Sequence, residues 1–135
     1  METKVLVTGA SGLIGRELCK QLADKFYVVA IDNQFRYEHT PTCGEFISTD
    51  IQKYLQNCKE EFAFIFHMGA INGTKYFYSI PNAVITNNIG ADHSVVQYAK
   101  KHPNCKVIYA SSSEVIADTD VFPTPEQTDV TIKDI

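Results

Sequence analysis

Apolar and polar positions change period several times along the chain. Lys4 to Thr8 is a short β-branched run that meets a glycine cluster, and from Leu13 to Asp24 the apolar residues return at helical spacing, with Ile14, Leu18 and Leu22 on one face. Phe26 to Ile31 is a continuous apolar run, the pattern of a strand buried on both faces of a parallel sheet, closed by Asp32-Asn33. After a polar connection containing Pro41 and Gly44, Glu45 to Ser48 predicts a third strand and Ile51 to Cys58 a short helix. Phe62 to Phe66 predicts a fourth strand, and Met68-Gly69-Ala70 opens a loop reaching to about Pro81. A long helix is predicted over Asn82 to His102, where Ile85, Ile89, Val96 and Ala99 keep near-helical spacing and Pro103-Asn104 supplies the stop. Lys106 to Ala110 predicts the fifth strand.

Strands alternating with helices predict an α/β fold: an open parallel sheet with helices on both faces, right-handed crossovers and strand order 3-2-1-4-5. From Ser111 the apolar pattern fades into a loop-like stretch around Thr119 to Pro125, and no closing element precedes Ile135. Sheets of this kind usually carry a sixth strand, so the single domain, residues 1–135, is expected to be truncated at its C-terminus.

Composition narrows the function classes. With 135 residues and 44% apolar side chains the chain can bury one ordinary core. A net charge of −4, with Lys100-Lys101 as its only basic cluster, argues against nucleic acid as a partner. The apolar stretch at the N-terminus is too short for a signal peptide and no run approaches membrane-spanning length, so a cytoplasmic protein without membrane attachment is expected. Cys19, Cys43, Cys58 and Cys105 form no Cys-x-x-Cys pair and read as reduced small hydrophobes. His39, His67, His93 and His102 are scattered, and no metal site is expected.

The chemistry begins at Thr8-Gly9-Ala10-Ser11-Gly12-Leu13-Ile14-Gly15, which places glycines three apart between a predicted strand and a predicted helix. Gly9 can take backbone angles closed to other residues, Gly12 lets a pyrophosphate approach the main chain, and Gly15 lets the helix pack closely on the strand. The free N–H groups and dipole at the helix start then favour a phosphate. Asp32, with Asn33 beside it, ends the second strand, where a carboxylate can accept hydrogen bonds from adenosine ribose hydroxyls and repel a 2′-phosphate. NAD is therefore expected ahead of NADP, with Arg36 as the residue that could pair with the extra phosphate of NADP.

These residues resemble the NAD-dependent epimerase/dehydratase family, the extended short-chain dehydrogenase/reductases that act on nucleotide sugars, built on a Rossmann-type NAD(P)-binding domain. The turn from Thr8 to Gly15 is similar to the family's Thr-Gly-x-x-Gly-x-x-Gly. Asp50-Ile51 resembles its adenine-contacting pair, although Asp50 could equally be a helix N-cap. His67-Met68-Gly69-Ala70 resembles the segment that walls the cofactor, and Asn87-Asn88-Ile89-Gly90 the Asn-x-x-Gly that the family carries near its active site. Tyr109-Ala110-Ser111-Ser112-Ser113-Glu114-Val115 resembles the end of the fifth strand, where the family keeps a hydroxyl on the reacting sugar. Alignment on Val115 makes Ser112 that hydroxyl, with Ser111 and Ser113 as alternatives, and puts Glu114 where some dehydratases keep an acid or base. The usual Val-Tyr-Gly continuation is replaced here by Val115-Ile116-Ala117.

The resemblance implies an enzyme that transiently oxidises a nucleotide-sugar hydroxyl, with Thr8 to Gly15, Asp32, Asn33, Asp50, Ile51, His67 to Ala70, Asn87 and Ala110 around NAD and a homodimer as the full-length form. The family's base is a Tyr-x-x-x-Lys pair, and none of the seven tyrosines has a lysine four residues on. The expectation is that the pair lies beyond this sequence and that residues 1–135 alone are inactive. A non-catalytic NAD(P)-binding sensor or scaffold of the same fold is the alternative.

Overall fold

A computed structural model describes residues 2–36, 38–116 and 119–128. The elements are β1 (Lys4–Thr8), α1 (Leu13–Leu22), β2 (Tyr27–Asp32), β3 (Glu45–Ser48), α2 (Ile51–Asn57), β4 (Phe64–His67), α3 (Thr74–Ser79), α4 (Pro81–Lys101) and β5 (Lys106–Tyr109), followed by a 3-10 turn over Ser113–Ile116. All strand pairs are parallel and the order is β3-β2-β1-β4-β5, as the alternation of patterns predicts. Ala117, the last residue of the altered Val-Tyr-Gly position, lies outside the described residues.

Side-chain alternation along the strands divides the core in two. Leu6, Val29, Ile31 and Ile65 point to the face covered by α2 and α4, where they meet Leu55, Val95 and Tyr98. Val5, Val7, Val28 and Ala30 point the other way, onto Ala10 and Cys19 of the glycine turn and α1. β1 and β2 are thus apolar at successive positions because both faces are covered. Phe64 and Phe66 of β4 lie on the α1 side only half-buried, since α1 covers β1 and β2 rather than β4.

Three expectations need correction. The buried stripe of α1 is Gly15 and Cys19, with Leu18 and Leu22 partly covered, while Ile14 faces outward and is exposed. Close packing at Gly15 turns the helix so that its small residues, not its largest, meet the sheet. On α4 the buried positions are Val84, Ala91, Val95 and Tyr98, whereas Ile85, Ile89 and Val96 are exposed. Those three form a second apolar stripe about 130° around the helix from the first, and the sequence carries no mark of which stripe meets the sheet. Finally, the loop after β4 contains α3, whose Thr-Lys-Tyr-Phe-Tyr-Ser sequence has no buried residue and hence no amphipathic signal. No helix among the described residues is long and apolar enough to cross a membrane.

Candidate functional site

A cleft of about 530 Å3 opens at the carboxyl ends of β1, β2 and β4. This is where the strand order reverses, since β2 and β3 lie on one side of β1 while β4 and β5 lie on the other. The glycine turn forms its floor. Gly9 has φ +68, and a Cβ there would meet Met68 and Gly69 backbone atoms at 2.7 Å. The two loops therefore touch main chain to main chain, which only glycine allows. At Gly15 a Cβ would lie 2.2 Å from the Gly9 carbonyl oxygen, so this glycine lets α1 start directly under the turn. Gly12 is different: its Cβ would stand 3.2 Å from the same oxygen and its backbone is extended. α1 begins at Gly12 with no side-chain cap and no acidic residue in its first turn, which leaves its first N–H groups and positive dipole end open to an anion.

The side of the cleft next to the turn is built by the ends of β2 and β3. Asp32 accepts from the Ser11 amide through Oδ2 at 3.1 Å and from the Gln34 amide through Oδ1 at 2.6 Å, which ties the acid to the glycine turn. Gln34 takes φ +57 to make that bend. Asn33 Nδ2 donates to Asp50 Oδ1 at 2.8 Å. Asp50 stands at the N-cap position of α2 without capping it, so its carboxylate serves the cleft wall with Asn33. Ser11 donates its hydroxyl to the His39 carbonyl, while Leu13 and Ile14 are exposed at the cleft rim.

Met68, Gly69 and Ala70 line the opposite wall, and Gly69 is held by its amide, which donates to Thr8 Oγ1 at 3.1 Å. Asn88 clamps the next residue twice: its Oδ1 accepts from the Ile71 amide at 2.8 Å and its Nδ2 donates to the Ile71 carbonyl at 3.0 Å. Asn87 also lines the cleft, but its side chain donates back to Ala83 within α4. Gly90 admits the side chain of Gln52, whose Nε2 a Cβ would meet at 2.8 Å, and Gln52 donates to the Asn87 carbonyl. At the far end Ala110 and Ser111 line the cleft. Ser112 and Glu114 are exposed, and the Ser112 hydroxyl accepts from the Glu114 amide at 3.2 Å, beside the 3-10 turn.

Several participants had no mark in the sequence. The Asn88 clamp is one, because two adjacent asparagines are told apart only by where the β4 loop returns. Another is the pairing of Phe35 and Tyr76, whose rings lie 5.6 Å apart beside Arg36, the arginine already singled out, with its guanidinium 5.5 Å from the Tyr76 ring. Tyr76 lies on the short helix that the pattern missed. A larger, more open depression of about 640 Å3 lies along the outer face of α1, between Arg16, Lys20 and Pro41. It shares Leu13 and Ile14 with the cleft but is lined by no strand-end residue and by none of the turn's glycines, so the cleft at the strand ends is the better candidate.

Comparison with known proteins bears on this cleft. Residues 5–133 match the NAD dependent epimerase/dehydratase family. An uncharacterized protein of Methanocaldococcus jannaschii is 32% identical over 90% of this chain and 43% of its own length. Among solved structures, a UDP-galactose 4-epimerase is similar with a TM-score of 0.83 and 27% identity, over 96% of this chain and 45% of that one. A UDP-N-acetylglucosamine 4-epimerase from Methanobrevibacter ruminantium, in complex with UDP-N-acetylmuramic acid, gives 0.84 and 26%, over 96% of this chain and 44% of that one. The chain spans less than half the length of each of these relatives.

Proposed function

The chain belongs to the NAD dependent epimerase/dehydratase family, and on that premise we propose that it forms the NAD-binding half of an enzyme that epimerises or dehydrates a nucleotide sugar. The observation that carries the reading is the cleft itself: a glycine turn and an uncapped helix start face Asp32, Asn33 and Asp50 across a sheet switch point. That donor set fits a dinucleotide. The α1 amides and Gly12 suit the pyrophosphate, Asp32 and Asn33 the adenosine ribose, Asp50 and Ile51 the adenine edge, and Met68 to Ala70 the wall beside them.

When bound, NAD supplies a hydride acceptor for a sugar hydroxyl. The chain's own residues bind and orient. Ala110 marks the strand end, Ser112 is assigned to hold the reacting hydroxyl, and Glu114 is assigned to a later proton transfer specific to the reaction. Ser111, whose residue lines the cleft, is the alternative hydroxyl. The base of the reaction is assigned to a Tyr-x-x-x-Lys pair outside these 135 residues. The UDP-sugar epimerases among the structural relatives support a nucleotide sugar as substrate. The exposed stripe Ile85, Ile89 and Val96 on α4 supports a homodimer in the complete enzyme.

Calorimetric titration with NAD and NADP tests the cofactor assignment. NAD is expected to bind more tightly, and Asp32→Ala to narrow the difference. Equal or tighter binding of NADP by the unaltered protein would show that Arg36 outweighs Asp32.

A further inference from the structure

Below the cleft floor, side chains from β1, β4, β5 and α4 meet around His67. The imidazole is buried. Its Nδ1 lies 2.7 Å from Thr8 Oγ1 and its Nε2 lies 3.0 Å from Asp92 Oδ1. Tyr109 donates its phenolic hydrogen to the other Asp92 oxygen at 3.1 Å, and its ring lies 5.6 Å from the imidazole. Thr8 Oγ1 in turn accepts from the Gly69 amide at 3.1 Å. Every bond but one has an obligatory direction, and together they fix the last. The Asp92 carboxylate accepts, so Nε2 carries the hydrogen; a neutral ring then has a bare Nδ1, which accepts the Thr8 hydroxyl hydrogen and leaves the Thr8 lone pairs for Gly69.

The consequence falls on the cleft, because Gly69 is the residue that touches Gly9 main chain to main chain. We infer that Asp92 and His67 are positioning residues for the dinucleotide: they give the Thr8 hydroxyl hydrogen an acceptor and so steady the oxygen that holds Gly69 against the glycine turn. The inference rests on the cofactor reading given above. Neither residue touches the cleft, and both act through Thr8.

Acid should loosen the arrangement. A ring protonated on both nitrogens turns Nδ1 into a donor, and Thr8, already accepting from Gly69, loses the acceptor for its own hydrogen. Burial disfavours the imidazolium and lowers the His67 pKa, while Asp92 opposes that shift through its hydrogen bond and charge. Among the described residues, the titratable groups facing the ring are Asp92 from α4 and Tyr109 from β5; β1 offers only the neutral Thr8.

Two readouts test the inference. Long-range proton–nitrogen spectra of histidine-labelled protein should show His67 as the neutral Nε2–H tautomer at pH 8; an Nδ1–H tautomer would overturn it without any substitution. NAD affinity, measured calorimetrically, should fall about five- to tenfold in Asp92→Ala, with the tautomer shifting toward Nδ1–H. Asp92→Asn keeps an acceptor oxygen and should restore both, while its acid loss of NAD affinity moves to lower pH because the carboxylate no longer supports the imidazolium. If the unaltered protein binds NAD and Asp92→Ala binds it equally well with the same pH profile, the positioning role is wrong and the cofactor reading stands. If the unaltered protein binds no NAD at pH 8, the cofactor reading itself is overturned and the positioning role falls with it.

Discussion

Gly12 and Gly15 sit three residues apart in one turn, yet their surroundings differ enough for substitutions to have separable effects. A Cβ at Gly15 would lie 2.2 Å from the Gly9 carbonyl oxygen and 2.8 Å from Ala10 Cα, all main-chain atoms that no rotamer change can move. Within a helix, alanine gains about 1 kcal/mol over glycine, whereas overpacking costs roughly 1–3 kcal/mol and more where backbone must shift. The clash wins, and Gly15→Ala is expected to lose about 2 kcal/mol of stability. With a urea m value of about 2 kcal/mol/M, the unfolding midpoint falls by roughly 1 M. At Gly12 the added methyl stands 3.2 Å from a single carbonyl oxygen, and φ −73 with ψ 171 suits any residue. Gly12→Ala should therefore unfold within about 0.5 kcal/mol of the parent, while its methyl would stand in the approach proposed for the pyrophosphate. A loss of NAD affinity of about tenfold, or ~1.4 kcal/mol, is expected from titration. The reasoning is refuted if Gly15→Ala is as stable as the parent, or if Gly12→Ala binds NAD unchanged.

In the complete enzyme, Ser112→Ala should lower turnover by ~10²-fold with NAD affinity nearly unchanged; a large defect in Ser111→Ala instead would move the assignment one residue, and near-native turnover in Ser111→Ala, Ser112→Ala and Ser113→Ala alike would remove it. Tyr98 is buried, donates to the Glu60 carbonyl at 2.7 Å and accepts from the Phe62 amide at 3.2 Å, so Tyr98→Phe strands two main-chain groups and should cost about 1–3 kcal/mol in urea unfolding. Burial lowers the folded-state pKa of His67, so the unfolded chain takes up its proton first as pH falls below the ordinary imidazole value of 6.5. Its contribution to stability is complete above that pH and is lost as pH drops through the folded-state value. Urea midpoints of the unaltered protein should therefore fall more steeply with acid than those of His67→Gln, and parallel slopes would contradict the buried neutral ring.

The strands, their order and the glycine turn were legible in the linear pattern because each is a local property. A strand covered on both faces has to be apolar at successive positions, and a turn that presents backbone to a phosphate has to spend glycines at fixed spacing. Asp32 was readable for the same reason, standing one position past an apolar run. What lay beyond the pattern depends on rotation and on return paths. Two apolar stripes on α4 compete for the sheet, and only the packing of Gly90 against Gln52 and of Tyr98 against Phe62 shows that Val84, Ala91 and Val95 face inward. The helix α3 buries nothing, so it carries no hydrophobic period. His67, Thr8, Asp92 and Tyr109 are 59, 25 and 17 residues apart along their bonds, and no spacing rule joins them. They meet because parallel strands bring their carboxyl ends to one edge of the sheet, where the long helix beside them delivers a carboxylate to a buried imidazole.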